Sequence, residues 1–319
     1  MSISLGRVAG PVKHPSGGAN DPPKREPYRG LRRVLRTYSG VPYLVPSLSI
    51  MLVVVLAPIV MTVYFSFTSY SILEPGEFVG LENYRNLVQD QAFLTSVRQT
   101  IIYTLIVVPL QTLLALVIAE VIAKRFRNAF GGFARSVLFV PVLSSLVVVG
   151  IVWRFLLDPQ AGVVDSLFQF LGLEQPNWLG RPVLALVTVA LVTVWKNVGY
   201  FLVIYYAAIM GIRGDLYEAA AIDGASHFQR FRHITVPSLR PVTFLVVVLG
   251  TIWSFQVFDL VYTMTGGGPG GSTMTIVLSI YQAGFQNYQM GYASALSVVL
   301  LAIVLVISLV QRRLLAREK

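Results

Sequence analysis

The chain has 319 residues, of which 55% are hydrophobic and 13% are charged, and its mean hydropathy is +0.68. A soluble domain is about one quarter charged, so this composition indicates an integral membrane protein. The sequence contains no cysteine, which excludes disulfides and thiolate metal sites. Its three histidines do not form the cluster that a histidine metal site needs.

Much of the net charge of +10 comes from the amino-terminal tail, because residues 1–42 carry eight lysines and arginines. The tail is rich in proline, glycine and serine, a composition typical of a disordered segment. It is too long, and too far from any small-residue cleavage site, to be a cleaved signal peptide. A basic flank before a first membrane span is a topology signal, and attraction to anionic membrane lipid is a second role that stays open. This uneven distribution of charge predicts no nucleic-acid partner.

Six apolar stretches are candidates for membrane spans, since about eighteen apolar residues in a helix cross the roughly 30 Å hydrocarbon layer. They lie near residues 43–68, 96–123, 135–157, 182–212, 238–264 and 291–311. The predicted fold class is therefore an all-α integral membrane protein with six transmembrane helices. We expect an amino-terminal tail at 1–42, a transmembrane domain at 43–312 and a short carboxy-terminal end at 313–319.

The orientation follows from the basic residues, because twenty of the 25 lysines and arginines lie in the two ends of the chain and in two alternate connections. These connections are residues 124–135 and 213–240. Lysine and arginine are enriched on the cytoplasmic side of membranes. Both termini and the 213–240 connection are therefore predicted to be cytoplasmic, in agreement with an even number of spans.

The connection between the fourth and fifth predicted spans is longer than two spans require. It contains a glutamate followed by three alanines, Glu218 to Ala221, and such residues favour a helix. Gly224 can end that helix with a positive φ, and Ser226 can cap a second one. Two interpretations stay open: a docking surface for a cytoplasmic partner, or an interfacial helix that only anchors the loop.

The spacing of this loop, which we place at residues 213–237, resembles the signature loop of binding-protein-dependent ABC importer permeases. The pattern is Glu-Ala-Ala, three residues, Gly, nine residues, Ile, one residue and Leu-Pro, and the chain departs from it only at Val236. The segments 195–200, 255–259 and 265–270 also look like the carbohydrate-uptake branch of that family. They are similar to the larger permease of maltose-type transporters and to glycerol-3-phosphate permeases, and the resemblance covers about residues 40–315.

The resemblance implies a subunit that forms half of a translocation pathway and has no ATPase site of its own. It implies four further components: a second homologous permease, a dimer of ATP-binding subunits that bind ATP and Mg, an extracytoplasmic solute-binding protein and the membrane lipid. The chain itself is expected to carry no cofactor and to reside in a bacterial or archaeal cytoplasmic membrane. The loop would be a coupling helix that contacts the ATPase through Glu218, Ala219, Ala220, Asp223 and Gly224.

Polar residues at membrane depth are costly and usually face a cavity or a partner helix. The aromatic and amide side chains of this kind suit a sugar, and by resemblance they fall near pocket-lining positions: Trp195, Asn197, Tyr200, Trp253, Ser254 and Gln256. The alternative is structural, since such residues also anchor spans and tie helices together. Two further charges, Lys196 and Asp259, are predicted to pair with each other or with a partner subunit, or to bind the solute.

Other functions are less compatible with the residues. A glycerol-3-phosphate or glycerophosphodiester substrate would favour several basic pocket residues, and only Lys196 is present. An ATP-independent secondary transporter should show an inverted half-repeat, which the sequence lacks. The glycine run at 266–271 lacks the order of a phosphate-binding loop, and no catalytic constellation indicates a membrane enzyme. The specific solute is not identified by the sequence.

Overall fold

The computed structural model describes residues 41–126 and 128–315. The predicted basic tail therefore lies almost entirely outside the described residues. By its internal contacts the chain divides into two units, Met1–Ala57 and Pro58–Lys319. Within the described ranges the fold is helical, and β-pairing is confined to an isolated bridge between Thr68 and Phe78.

The helices are numbered here in chain order. Their bounds are α1 (Val41–Met51), α2 (Ala57–Phe65), α3 (Glu82–Gln89), α4 (Gln91–Arg125), α5 (Ala129–Leu143), α6 (Leu146–Leu156), α7 (Val163–Phe170), α8 (Pro182–Met210), α9 (Gly214–Ile222), α10 (His227–Arg230), α11 (Val236–Ser238), α12 (Arg240–Phe255), α13 (Asp259–Met264), α14 (Ile276–Tyr281) and α15 (Met290–Leu315). Three π-helical turns join neighbouring helices at Leu52–Leu56, Phe231–Thr235 and Gln282–Gln286.

Four helical segments are long and apolar enough to cross a membrane: Leu44–Phe65, Gln91–Arg125, Pro182–Met210 and Met290–Leu314. Two further candidates are pairs of helices with a sharp bend between them. The pair α5–α6 is bent by 97°, and the pair His227–Ser238 and Arg240–Phe255 is bent by 68°. The described chain thus has four candidate spans, or up to six if each bent pair is one span. The count of six stays a prediction.

The two bent regions overlap the predicted spans at 135–157 and 238–264. A kink at Pro141 is expected from the sequence, and the bend lies three residues after it. The first breaks at Ser144, which is extended and donates its N–H to the carbonyl of Pro141 at 3.2 Å. The second begins after a bend at Leu239, just before Pro241 in the first turn of α12. It also ends early, at Phe255, so that Asp259 begins the separate short helix α13.

Helix α8 is the centre of the second unit. Within its most apolar stretch 61% of residues are buried, compared with 33% for α4 and 17% for α15. One apolar cluster packs α4 and α8 against α13 around Tyr103 and Leu260. A second cluster packs α4 and α8 against α12 around Phe201 and Val246. The central helix therefore holds its polar residues between two rigid apolar layers.

Polar side chains also join the helices within this core. The hydroxyl of Tyr103 on α4 donates to Thr193 Oγ1 on α8 at 2.6 Å. Nearer the other end of α8, the Tyr205 hydroxyl donates to Thr243 Oγ1 on α12 at 3.1 Å. Such bonds satisfy hydroxyl groups that would otherwise be buried without a partner, and they fix the rotation of each helix against its neighbour.

Candidate functional site

A cavity of about 450 Å³ lies where α4, α8 and the turn after α12 meet. Its lining residues are Tyr103, Val142, Leu146, Thr193, Lys196, Asn197, Tyr200, Trp253, Ser254, Gln256, Val257, Phe258, Asp259 and Leu260. The break after Phe255 helps to form it, because residues 256–258 leave the helix and face the side of α8. A cavity of this volume matches the usual size of a small-molecule site.

The cavity brings together seven of the eight intramembrane residues that the sequence singles out. The aromatic part of its wall is continuous, since the rings of Tyr200 and Trp253 lie 5.1 Å apart between centroids. Behind them Phe201 is fully buried and packs on Trp253 at 5.5 Å. The amides of Asn197 and Gln256 come from different segments, one from α8 and the other from the turn just after α12.

Trp195 lies elsewhere. It is 44% exposed and contacts the edge of the Trp153 ring at 5.5 Å. Together with Trp178 these rings line a different and largely apolar cavity. Of the predicted substrate-binding set, Trp195 is thus the one residue that the structure does not place with the others.

The two intramembrane charges share the cavity but do not form an ion pair. Lys196 is buried, and its Nζ donates to the carbonyl of Val142 on α5 at 3.3 Å. The Asp259 carboxylate is half-buried at the start of α13. Within the described residues the predicted pairing of Lys196 with Asp259 is therefore absent, since the ammonium is held by a backbone carbonyl at the bend between α5 and α6.

Sequence reasoning missed two polar residues of the wall, Tyr103 and Thr193. They form the 2.6 Å hydrogen bond between α4 and α8 and line the cavity floor and side. A signal was present for Thr193, because it precedes Asn197 by four residues and so shares a helix face with it. Tyr103 is a lone phenol in an apolar helix, and its position could not be assigned without the packing of α4 on α8.

The second region of interest is the loop between α8 and α12. Helix α9 ends at Ile222, and Gly224 adopts a left-handed conformation with φ of +77°. The N–H of Ala225 donates to the carbonyl of Ala220 at 2.9 Å, and that of Gly224 to Ala221 at 3.1 Å. This pair of bonds is a Schellman motif, which confirms the predicted helix stop at Gly224.

The next turn begins with a reciprocal cap. The Ser226 hydroxyl accepts from the N–H of Gln229 at 3.3 Å, and the Gln229 side chain accepts from the N–H of Ser226 at 2.7 Å. This is a capping box, and it confirms the predicted role of Ser226 as a helix cap. The turn between α9 and α10 is therefore defined on both sides by local hydrogen bonds.

The loop presents an exposed surface. Four of the five residues predicted to contact an ATPase are exposed, namely Glu218, Ala219, Asp223 and Gly224, and Ala220 is half-buried. Two large apolar side chains that the prediction did not include, Ile222 and Phe228, are 87% and 68% exposed. Exposed apolar side chains beside a charged rim are characteristic of protein interaction sites.

One buried hydroxyl ties the loop to the end of α4. Thr235 is fully buried, and its Oγ1 donates to Glu120 Oε1 at 3.4 Å. Thr235 Oγ1 also lies 2.9 Å from the Tyr217 hydroxyl of α9. The hydrogen bonds therefore run from Tyr217 through Thr235 to Glu120. Lys124 Nζ lies 3.2 Å above the Tyr217 ring. These contacts connect α9 to the end of α4 through Thr235.

The phenol of Tyr217 is a neutral donor in this chain of bonds. Burial raises its pKa above the ordinary value, and the Glu120 carboxylate adds to this effect, while the hydrogen bond with Thr235 opposes it. The proton therefore stays on the phenol at physiological pH. The Thr235 hydroxyl is left to donate its own proton to Glu120, as the observed geometry requires.

Comparison with known proteins identifies relatives over most of the chain. The profile of the family described as "Binding-protein-dependent transport system inner membrane component" matches residues 100–319. The probable ABC transporter permease protein YurN of Bacillus subtilis is 36% identical over 278 residues, covering 86% of this chain and 95% of that protein. The trehalose/maltose transport system permease protein MalF of Thermococcus litoralis is 32% identical over 271 residues, covering 84% and 90%.

One chain in a solved structure shares the fold of this protein. That structure is the crystal structure of a bacterial ABC transporter involved in the import of the acidic polysaccharide alginate. The TM-score is 0.78 at 24% sequence identity, and the alignment covers 91% of this chain and 99% of that chain. The helical architecture described above is therefore shared with a chain of that ABC transporter.

Proposed function

The chain belongs to the family of binding-protein-dependent transport system inner membrane components, and from that premise we propose that it carries a sugar or sugar-like solute through an ATP-driven importer. It supplies one half of the translocation pathway. A homologous permease supplies the other half, and a separate pair of ATPase subunits provides the energy by binding ATP and Mg. An extracytoplasmic solute-binding protein delivers the cargo.

The observation that carries the sugar assignment is the chemistry of the intramembrane cavity. Amides at Asn197 and Gln256 and the hydroxyl of Ser254 offer both donors and acceptors, which match the hydroxyl groups of a sugar. The rings of Tyr200 and Trp253 offer flat apolar faces for its C–H surfaces. A relative named for trehalose and maltose transport supports the same class of solute.

Charge in the cavity favours a solute without net charge. Among the described lining residues Lys196 is the one cation and Asp259 the one carboxylate. The Lys196 ammonium favours a second candidate solute, glycerol-3-phosphate or a glycerophosphodiester. However, Lys196 Nζ already donates to the Val142 carbonyl, and the Asp259 carboxylate in the same cavity would repel a phosphate. A phosphate site normally combines several charged donors, so the neutral solute is the better fit.

The exposed loop at 213–237 is our candidate for the coupling helix. Glu218, Ala219, Asp223 and Gly224 form its polar and small-residue surface, with Ala220 partly beneath them. We add Ile222 and Phe228 as the apolar contacts that the ATPase would cover. The hydrogen bonds from Tyr217 through Thr235 to Glu120 then make the loop a lever on α4. A movement imposed by ATP would reach the cavity through α4, which supplies Tyr103 to its wall.

The distribution of basic residues supports an orientation with this loop and both termini in the cytoplasm of a bacterial or archaeal cell. In this arrangement each bent helix pair counts as one span, and six spans form a permease domain at 43–312. The basic tail at 1–42 and the end at 313–319 are then cytoplasmic.

The proposal is tested by uptake into proteoliposomes that contain the chain with its partner permease, ATPase and solute-binding protein. Radiolabelled maltose, trehalose and arabinotriose are compared with radiolabelled glycerol-3-phosphate, each with and without ATP inside the vesicles. We expect ATP-dependent uptake of at least one neutral sugar. Uptake of glycerol-3-phosphate alone would transfer the assignment to the second candidate, and ATP-independent uptake driven by an ion gradient would contradict the importer mechanism.

A further inference from the structure

A second cavity, of about 490 Å³, is lined mostly by polar residues. It is an open groove between three segments: residues 69–71 after α2, residues 83–90 of α3 and its end, and residues 287–292 at the start of α15. In the proposed orientation these segments lie at the extracytoplasmic ends of their spans. None of the groove residues contributes to the intramembrane cavity.

The groove has a defined structure, since buried hydrogen bonds join the segments that form it. The N–H of Gly291 donates to the carbonyl of Tyr70 at 2.8 Å. A side chain at this glycine would place its Cβ 2.0 Å from the Thr68 carbonyl oxygen, so the approach requires glycine. Asn83 is buried, and its Nδ2 donates to the carbonyls of Ser66 and Thr68 at 2.9 and 2.8 Å.

The single carboxylate of the groove, that of Asp90, also takes part in hydrogen bonds that join its segments. Asp90 accepts the hydroxyl proton of Tyr292 at 2.7 Å through one oxygen and the N–H of Ala92 at 2.8 Å through the other. Each of its two oxygens thus accepts one hydrogen bond from the protein. No lysine or arginine of the described chain lines the groove. The surface that remains is neutral, so it does not favour anions or cations.

Several other groove side chains take no part in these hydrogen bonds. The side-chain amides of Asn86, Asn287 and Gln289 are exposed and make no hydrogen bond to another described residue. Tyr288 is also exposed, and the backbone holds it at φ of +59°. A non-glycine residue in the left-handed region is uncommon and costs free energy, and such residues are enriched at binding sites.

These side chains have the chemistry of a carbohydrate site. Each amide presents donors and an acceptor that can bind two neighbouring hydroxyl groups of one sugar ring. The phenol ring of Tyr288 presents an apolar face to C–H groups and a polar hydroxyl at its tip. A volume of about 490 Å³ accommodates a disaccharide or trisaccharide but is open enough for a longer chain to extend out of it.

We propose that this groove is a second saccharide-binding site, which receives a neutral oligosaccharide on the extracytoplasmic face before it reaches the intramembrane cavity. The class of ligand and the side of the membrane rest on the proposed function; the groove and its unpartnered amides do not. Asn86 and Asn287 line the groove from two different segments, and they are the residues we expect to bind the sugar.

The test is photoaffinity mapping on the complete importer in lipid nanodiscs. Maltotriose and trehalose, each carrying a diazirine, are bound and irradiated, and labelled peptides are identified by mass spectrometry. We expect label in peptides that contain residues 83–90 or 287–292, as a site separate from label near 196–200. Replacing two of the groove amides, Asn86→Ala with Asn287→Ala, should lower the groove label about tenfold, since two hydrogen bonds to the sugar are lost. Label in the intramembrane cavity should not change.

A matched control is Gln160→Ala, which removes another exposed amide outside the groove. Groove label should stay at the wild-type level in this variant. Label confined to the intramembrane cavity would overturn the second site while leaving the importer function intact. Groove label that persists in the double variant would identify non-specific capture and would overturn the inference as well. The uptake assay reads the proposed function independently of either result.

Discussion

The hydroxyl of Thr235 is the place where the coupling account can be tested most sharply. The change Thr235→Val keeps the shape of the side chain but removes the oxygen between Tyr217 and Glu120. Thr235 is fully buried, whereas Tyr217 and Glu120 are half-buried. The Tyr217 hydroxyl and the Glu120 carboxylate would each lose a partner.

The magnitude follows from the two bonds. A neutral hydrogen bond contributes about 0.5–1.5 kcal/mol, and one to a charged acceptor contributes about 1.5–3 kcal/mol. The Thr235–Glu120 distance of 3.4 Å is long for an O–H donor, so we take the lower end and expect a loss of about 2 kcal/mol. That corresponds to a roughly 30-fold shift toward a detached loop.

Two measurements on the reconstituted importer should report this shift. Hydrogen exchange of the amides in Gly214–Ile222 should become faster, by up to about 30-fold. The amount of sugar moved per ATP hydrolysed should fall, because the ATPase can then move the loop without moving α4. The assembled complex should still form, since the exposed face of the loop is unchanged.

A suitable control is Thr243→Val, which also removes a threonine that accepts a tyrosine hydroxyl, here from Tyr205 on α8. It lies in the helix core rather than in the loop, so it should reduce overall stability without altering the ratio of transport to hydrolysis. An unchanged ratio and unchanged exchange in Thr235→Val would refute the idea that these bonds transmit the movement.

Three further predictions concern single residues. Gly224→Ala should destabilise the loop by about 1 kcal/mol, because alanine disfavours the φ of +77°. This variant should also lower the yield of co-purified ATPase, and an ATPase yield equal to that of the wild type would contradict the prediction. Ser226→Ala removes the capping box and should cost about 1 kcal/mol, seen as faster exchange at Gln229 and no change in α4. Asn197→Ala should raise the KM for sugar uptake about tenfold without changing basal ATP hydrolysis, whereas Trp195→Phe, which lies outside the cavity, should leave KM unchanged.

The loop was predictable because its structure is determined locally. Gly224 ends α9 and Ser226 begins α10 through hydrogen bonds that span no more than five residues. Helix-stop and capping signals of this kind operate within one turn. Its attachment to α4 was not predictable, because Thr235 and Glu120 are separated by 115 positions.

The cavity was only partly predictable. Lys196, Asn197 and Tyr200 share one face of α8, since residues three or four apart are neighbours on a helix. Trp195 precedes Tyr200 by five residues and points to another side, which helical geometry could have revealed. The turn after Phe255, which brings Gln256 into the wall, depends on packing against α8 and left no local signal that we recognised.

The polar groove between α3 and the start of α15 shows the limit of sequence reasoning most clearly. Its two walls, near Tyr70 and near Gly291, are more than two hundred residues apart and meet through one backbone hydrogen bond. The asparagines of each wall look like ordinary loop residues in the sequence. Only the fold shows that they face one cavity.

The central claim is that the loop at 213–237 couples this permease to an ATPase, and the most direct measurement is co-purification from mild detergent. Wild-type chain and Glu218→Lys are compared, since Glu218 is exposed on α9 and its reversal alters only the surface charge. The account predicts that an ATP-binding subunit is recovered with the wild type and lost with the variant. Purification of the wild type without any ATPase would contradict it, and a self-powered carrier would then explain the chain better.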